Sequence, residues 1–358
     1  MASPALPLEV VDYIIEIIAT RHPVGHSAII DALYALSLTC WTVRRLVLRA
    51  YLRDVAVSTR RHWEALSSLA LSVENHHHYF DRSGGFGWTR TLSIPSTSIA
   101  PSTAIRLSSL TRLRQLSLEF SKEGLSTQHT RLRLIVNNLT ARMLNGAYDK
   151  LTALTLTSMP RIDVSMLLLI SKHFPLLVDL YISCTERLED AWWSFVDSAS
   201  CTIHSPIPHV FADVEHLAIA FSEALKPLAH LTYLHLGVYL SDEDMLCDHN
   251  DDNHMCGAED QDDCISGVSA CPFCRAYAEG VHHRESHASL LFAQNLKALR
   301  CIGWSSLFRR SVGPSCLANT DSCTPSRHAV RPTIDRLSSV FWLDRKEDGR
   351  IRACYHSQ

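Results

Sequence analysis

The feature that most constrains this chain is a six-residue pattern, L-x-x-L-x-L, that returns along most of its length. It is clearest in KLTALTLTSMPRID, which holds Leu151, Leu154 and Leu156, and in LLLISKHFPLLVDLYIS, which holds Leu177, Leu180 and Ile182. Apolar residues two apart lie on one face of a strand, so each such stretch reads as a strand of three to six residues with one buried side. The same texture marks Leu52–Val57, Thr91–Ile94, Leu116–Leu118 with Phe120, Leu217–Ile219, Leu234–Leu236 and Leu299–Ile302. Helix-like stretches, Ser165–His173 and Leu290–Asn295 among them, fall between. Each strand is therefore expected to add to one mainly parallel sheet, with a helix covering its back.

The spacing decides what kind of α/β chain this predicts. Leu154 to Leu180 is 26 residues and Leu92 to Leu116 is 24, both within the range of leucine-rich repeats. Other intervals are 38, 37 and 17, and Leu234 to Leu299 spans 65. A strict solenoid keeps its period, so the expectation is an irregular leucine-rich-repeat-like array with insertions over residues 51–358. An ordinary α/β domain with short strands is the alternative.

The first fifty residues have a different, helical texture. Val10, Ile14, Ile17 and Val11, Ile15, Ile18 form a broad apolar stripe opposite Asp12 and Glu16, predicting a helix over 6–20 with Pro7 in its first turn. Pro23 and Gly25 interrupt it. Ser27 opens a second helix through about Leu38, and a third covers Thr42 to Arg49. Arg44, Arg45, Arg49, Arg53, Arg60 and Arg61 read as a solvated basic helix face.

The start Leu6-Pro7-Leu8-Glu9-Val10, followed by Ile14 and Ile18 and then by Leu33, Leu36 and Leu38-Thr39-Cys40, resembles an F-box. Leu52-Arg53-Asp54-Val55 looks like the first strand after the box in F-box-like proteins of mushroom-forming fungi, whose C-terminal parts also resemble irregular leucine-rich arrays. The box resemblance covers residues 4–50. Val43 stands where the family places a Trp, and Trp41 follows Cys40 directly. The resemblance implies an α/β chain whose three-helix module docks on the Skp-type adaptor of a cullin–RING ubiquitin ligase. Leu6, Pro7, Val10, Ile14, Leu36 and Trp41 would meet the adaptor, and the array would hold an unknown protein substrate. Val10 and Ile14 are as readily read as internal core residues of the three helices.

One motif suggests metal. Cys271-Pro272-Phe273-Cys274 precedes His283 and His287, which sit four apart on one helix face, and Cys-x2-Cys with two His can form a tetrahedral zinc site. The spacer is shorter than in familiar two-Cys two-His fingers, and a loop binding no metal is the competing reading. No strand leads into this Cys-x-x-Cys and no helix starts clearly at it, which disfavours a redox role. Ser83-Gly84-Gly85-Phe86-Gly87 lacks the phosphate-loop Lys and reads as a turn. His76-His77-His78 reads as a polar loop.

Charge is unevenly distributed. Ser241 to Cys264 holds ten acids and no Lys or Arg, so with a formal net charge of -3 the rest of the chain carries -3 - (-10) = +7. Residues 241–282 are expected to be an acidic, solvated insertion. Hydrophobic residues at 46% and charged residues at 20% suit a globular chain. The N-terminus has no basic region before its apolar stretch, and no long uncharged apolar run occurs, so neither a signal peptide nor a membrane span is expected. Twelve cysteines then read as reduced thiols of a cytoplasmic or nuclear protein. The expected function is substrate binding within a ubiquitin ligase, not catalysis, with no membrane partner and no aromatic-interleaved basic stripe for nucleic acid. A leucine-rich scaffold with a vestigial box is the alternative, and a hydrolase or zinc-dependent enzyme a third reading.

Overall fold

A computed structural model describes residues 6–21, 27–75, 85–141, 143, 148–184, 207, 210–240, 272–306, 338–346 and 348–356. The chain divides into two compact units, residues 1–160 with 172–177, and residues 161–171 with 178–358.

The first unit opens with three helices, α1 (Leu8–Arg21), α2 (Ser27–Ser37) and α3 (Trp41–Arg53). All three were expected, with α3 one turn longer than the sequence suggested. Parallel strands follow in chain order: β1 (Asp54–Ala56), β2 (Thr91–Pro95), β3 (Gln115–Glu119) and β4 (Ala153–Met159). Between them run α4 (Arg60–Asn75), a short α5 (Pro101–Ala104) and α6 (Leu125–Thr140). The Thr59 hydroxyl accepts from His62 N–H at 3.2 Å to start α4, and buried Trp63 of that helix stacks on Phe86 at 5.3 Å. Phe86 lies in a 3-10 turn, Gly85–Trp88, where the sequence suggested a simple turn.

The second unit holds most of α7 (Val164–His173), then β5 (Asp179–Cys184), α8 (Val214–Leu225), β6 (Tyr233–Leu236), α9 (Pro272–Asn295) and β7 (Cys301–Ser305). Strands β5, β6 and β7 are parallel neighbours. A hairpin closes the unit: β8 (Ser338–Arg345) runs antiparallel to β7, and β9 (Ile351–His356) antiparallel to β8. The chain is thus of the α/β class with a mainly parallel sheet.

One rule builds all seven parallel strands. Two residues before each strand, at its second position and two residues after that (for three-residue β1, just past its end), the side chains are buried. The triplets are Leu52, Val55, Val57; Thr89, Leu92, Ile94; Leu113, Leu116, Leu118; Leu151, Leu154, Leu156; Leu177, Leu180, Ile182; Leu231, Leu234, Leu236; and Leu299, Ile302, Trp304, none more than 6% exposed. Each aliphatic side chain so buried contributes about 1.5–3 kcal/mol. A one-residue slip would turn Thr91, Ser93, Gln115, Ser117 and Thr155 into that core, which fixes the register. The backbone repeats as well. The carbonyl of the residue before one strand accepts from the residue before the next: Arg53 O from Arg90 N, Arg90 O from Arg114 N, Arg114 O from Thr152 N, Val178 O from Thr232 N and Thr232 O from Arg300 N, all at 2.7–2.9 Å.

Two expectations need correction. Leu217–Ile219 is not a strand but the middle of α8. Asp213 caps that helix by accepting from His216 N–H at 2.8 Å, and Val214, Leu217, Ala218, Phe221 and Leu225 make its buried face at helical spacing. A three-residue alternation fits one edge of such a face as well as it fits a strand. Residues 272–282, expected to belong to a solvated insertion, are helical instead, because α9 begins at Pro272 and its Ala278 and Val281 are buried. Leu290–Asn295, read as a short helix, is the last turn and a half of this 24-residue one. Residues 241–271 lie outside the described residues.

Candidate functional site

The N-terminal helices first satisfy themselves. Ile15, Ala19, Leu33, Val47 and Ala50 form their core, with Val11, Ile18, Leu36, Val43 and Leu46 packed against it. On α1 the inward residues 11, 15, 18 and 19 follow helical spacing. Pro7 O accepts from Val10 N–H at 3.0 Å, so Leu6-Pro7 leads directly into the first turn. Carbonyls at the end of α2 are met by local donors: the Ser37 hydroxyl donates to Tyr34 O and the Thr39 hydroxyl to Leu36 O, both at 2.7 Å, and Arg44 Nε to Ser37 O at 2.9 Å.

Ion pairs then hold α1 to α3. Arg49 donates through one nitrogen, Nη2, to both carboxylate oxygens of Asp12 at 2.5 and 2.7 Å, while one turn further on Arg53 bonds Glu16 and, at 2.9 Å, Asp54. Partial burial works against the Arg53 charge, but its bonds to Asp54 and Glu16 outweigh this and hold its pKa above the ordinary value. The basic residues expected to form a solvated face are therefore partly committed, because α1 presents Asp12 and Glu16 with the same four-residue step. Each pair is partly exposed and contributes about 1 kcal/mol at most.

What the bundle does not cover is apolar. Among the described residues thirteen large apolar side chains are exposed, and eight of them lie within residues 6–41: Leu6, Leu8, Val10, Tyr13, Ile14, Tyr34, Leu38 and Trp41. Val10, Tyr13 and Ile14 lie along one side of α1 at steps of three and one, away from the inward set, and Leu6 stands just before the helix. Tyr34 and Leu38 are one turn apart at the end of α2, and Trp41 opens α3. Leu6 and Tyr13 are 64% and 68% exposed and Trp41 49%. Of the residues the F-box resemblance assigns to an adaptor, Leu6, Pro7, Val10, Ile14 and Trp41 are thus at the surface, while Leu36 packs on the bundle's core.

The Cys/His motif is placed only in part. Cys271 lies outside the described residues, and Cys274 belongs to the first turn of α9, so a helix does begin inside the Cys-x-x-Cys. His283 and His287 share the exposed side of α9. Among the described residues no three His, Cys, Asp or Glu side chains stand together as a metal site. The histidine that α9 turns inward is the neighbouring His282, whose Nδ1 lies 3.1 Å from Oε2 of fully buried Glu285. Next to it, Trp304 Nε1 donates to Ser289 Oγ at 3.0 Å, and the Ser289 hydroxyl donates to Glu285 O at 2.6 Å. The sequence signal for this pair was the i, i+3 spacing with Ala278, Val281 and Ser289 on the same side.

The chain so far is an α/β protein with a mainly parallel sheet and a helical N-terminal segment rich in exposed apolar side chains. No family model matches it, and no curated protein sequence is similar to it. No described helix is long and apolar enough to cross a membrane.

Proposed function

We propose that this chain is a substrate-receptor subunit of a cullin–RING ubiquitin ligase, binding a Skp-type adaptor through residues 4–50 and a protein substrate through the strand-bearing remainder. The observation that carries the reading is the gathering of exposed apolar side chains on residues 6–41. A helix that has filled its own core and still presents Leu, Val, Tyr and Ile along its outer side has an apolar face that a partner can cover. The F-box resemblance of Leu6-Pro7-x-Glu9 supplies the kind of partner.

The test is co-purification with the adaptor and titration of the pure components. Replacing Leu6 and Pro7 together by Ala is expected to weaken binding by about 1–3 kcal/mol, as for apolar anchors, and to leave the melting temperature unchanged because neither side chain belongs to the bundle core. Absence of wild-type binding at micromolar concentrations favours a second reading, a leucine-rich scaffold with a vestigial box. The inward packing of Leu36 and the Asp12–Arg49 and Glu16–Arg53 pairs suit that reading, since they let the bundle close without a partner.

A further inference from the structure

The repeated register of the first unit aligns cations. Arg90 and Arg114 occupy the same position, immediately before β2 and β3, and Arg90 O accepts from Arg114 N at 2.7 Å, so their backbones are hydrogen-bonded neighbours. Two residues before Arg114, in the turn that leads into β3, stands Arg112, and its equivalent before β4 is Lys150, since Gln115 pairs with Ala153. Neighbouring parallel strands lie about 4.8 Å apart, so four cations crowd one end of three adjacent strands. All four are exposed. Lys150 gives one hydrogen bond to Thr111 O at 2.9 Å, and no carboxylate among the described residues pairs with Arg90, Arg112 or Arg114. The nearby Asp54 is bonded to Arg53, so among the described residues exposed Asp149 is the one acid beside them. Residues 85–160 hold nine Lys and Arg against three Asp and Glu, 9 - 3 = +6, so the wider surroundings do not neutralise the row.

Like charges held this close repel one another, and the repulsion is relieved when an anion binds. We propose that this row, Arg90, Arg112, Arg114 and Lys150, is the docking site for an acidic segment of a protein partner, which, resting on the reading above, is the substrate. Guanidinium forks grip carboxylates two-pronged, and the half-buried side chains next to them, Thr91, Ser93, Gln115 and Ser117, offer hydrogen bonds to an extended peptide. Single-stranded nucleic acid is the poorer fit, because it is held by stacking on aromatic side chains and these neighbours supply none.

The test uses the purified full chain and a fluorescein-labelled poly-glutamate peptide, followed by anisotropy. Wild-type protein is expected to bind, less tightly as salt rises, and R90E/R114E to bind at least about tenfold more weakly. Circular dichroism checks the fold of the variant, and R112E, placed in a turn, serves in its place if the double variant misfolds. Absence of wild-type binding, binding unchanged by charge reversal, or tighter binding of a single-stranded oligothymidylate than of the peptide overturns the proposal. Adaptor capture is measured on the same preparations: peptide binding without adaptor binding sinks the ligase reading and leaves the acidic docking site standing, and the reverse result does the opposite.

Discussion

Tyr148 is 1% exposed, its hydroxyl donates to Leu110 O, and it accepts from Leu113 N–H at 2.9 Å, so one phenol pins the turn that leads into β3. Burial pushes its pKa up to about 12. Tyr148→Phe is expected to cost about 1–2 kcal/mol by chemical denaturation, the usual net loss for buried hydrogen bonds. The alkaline limb follows by linkage. The unfolded chain releases this proton near the ordinary tyrosine value of about 10, the folded chain only near 12, so stability is whole below 10 and falls as pH rises towards 12. The Phe variant lacks that component of the decline. Asp213 behaves in the opposite sense. Its bonds from His216, first to the backbone N–H and then to the ring, hold its carboxyl below the ordinary value. Its contribution is present above the ordinary carboxylate range and is lost as pH falls through the depressed value. Asp213→Ala should therefore lower the melting temperature by a few degrees at neutral pH, with the gap to wild type closing in acid.

At the scale of elements, the first turns of α9 give the sharpest test of what the residues next to the acidic stretch add to stability. Exchanging residues 245–280 for a Gly/Ser linker removes the first two turns of the helix with buried Ala278, and is expected to lower the melting temperature more than an exchange that stops at 268. Equal effects would show that these turns add nothing. The strands were legible because Leu-x-x-Leu-x-Leu states burial directly, with both the alternation and the leading residue of each triplet, a leucine in all but Thr89, meeting the core. Residues 217–219 were misread because Leu-Ala-Ile is also part of the Val214–Leu225 face, and Asp213 was not recognised as its cap. The start of α9 was missed because Cys271 to Cys274 was judged as a metal motif and not as a Pro-led first turn. The β8–β9 hairpin went unnoticed because Ser339, Val340 and Phe341 are buried one after another, so Ser338–Arg345 shows no simple two-period. The apolar side chains now seen at the surface of α1 were written in Val10 and Ile14. Sequence could not decide between surface and core for them, since Val11 and Ile15 offer an equally apolar face one residue round the helix.

For the molecule as a whole, the acids concentrated in residues 241–264 and the cations left elsewhere make binding of charged partners strongly dependent on salt. A parallel sheet whose strands follow one burial rule has a further property. Each strand exposes, on its far side, the same row of N–H and C=O groups that it used on its near side, so nothing in the rule itself says when to stop. In this chain the stop is supplied by β8. By reversing direction against β7, it takes up that strand's outer groups with a partner whose sequence follows no L-x-x-L-x-L triplet. Among the described residues the last edge passes to β9, whose exposed Arg352 makes it a poorer template for a neighbouring chain. Growth and termination are thus encoded separately. The hairpin, rather than the number of leucines, keeps a potentially open-ended sheet from continuing into the next molecule.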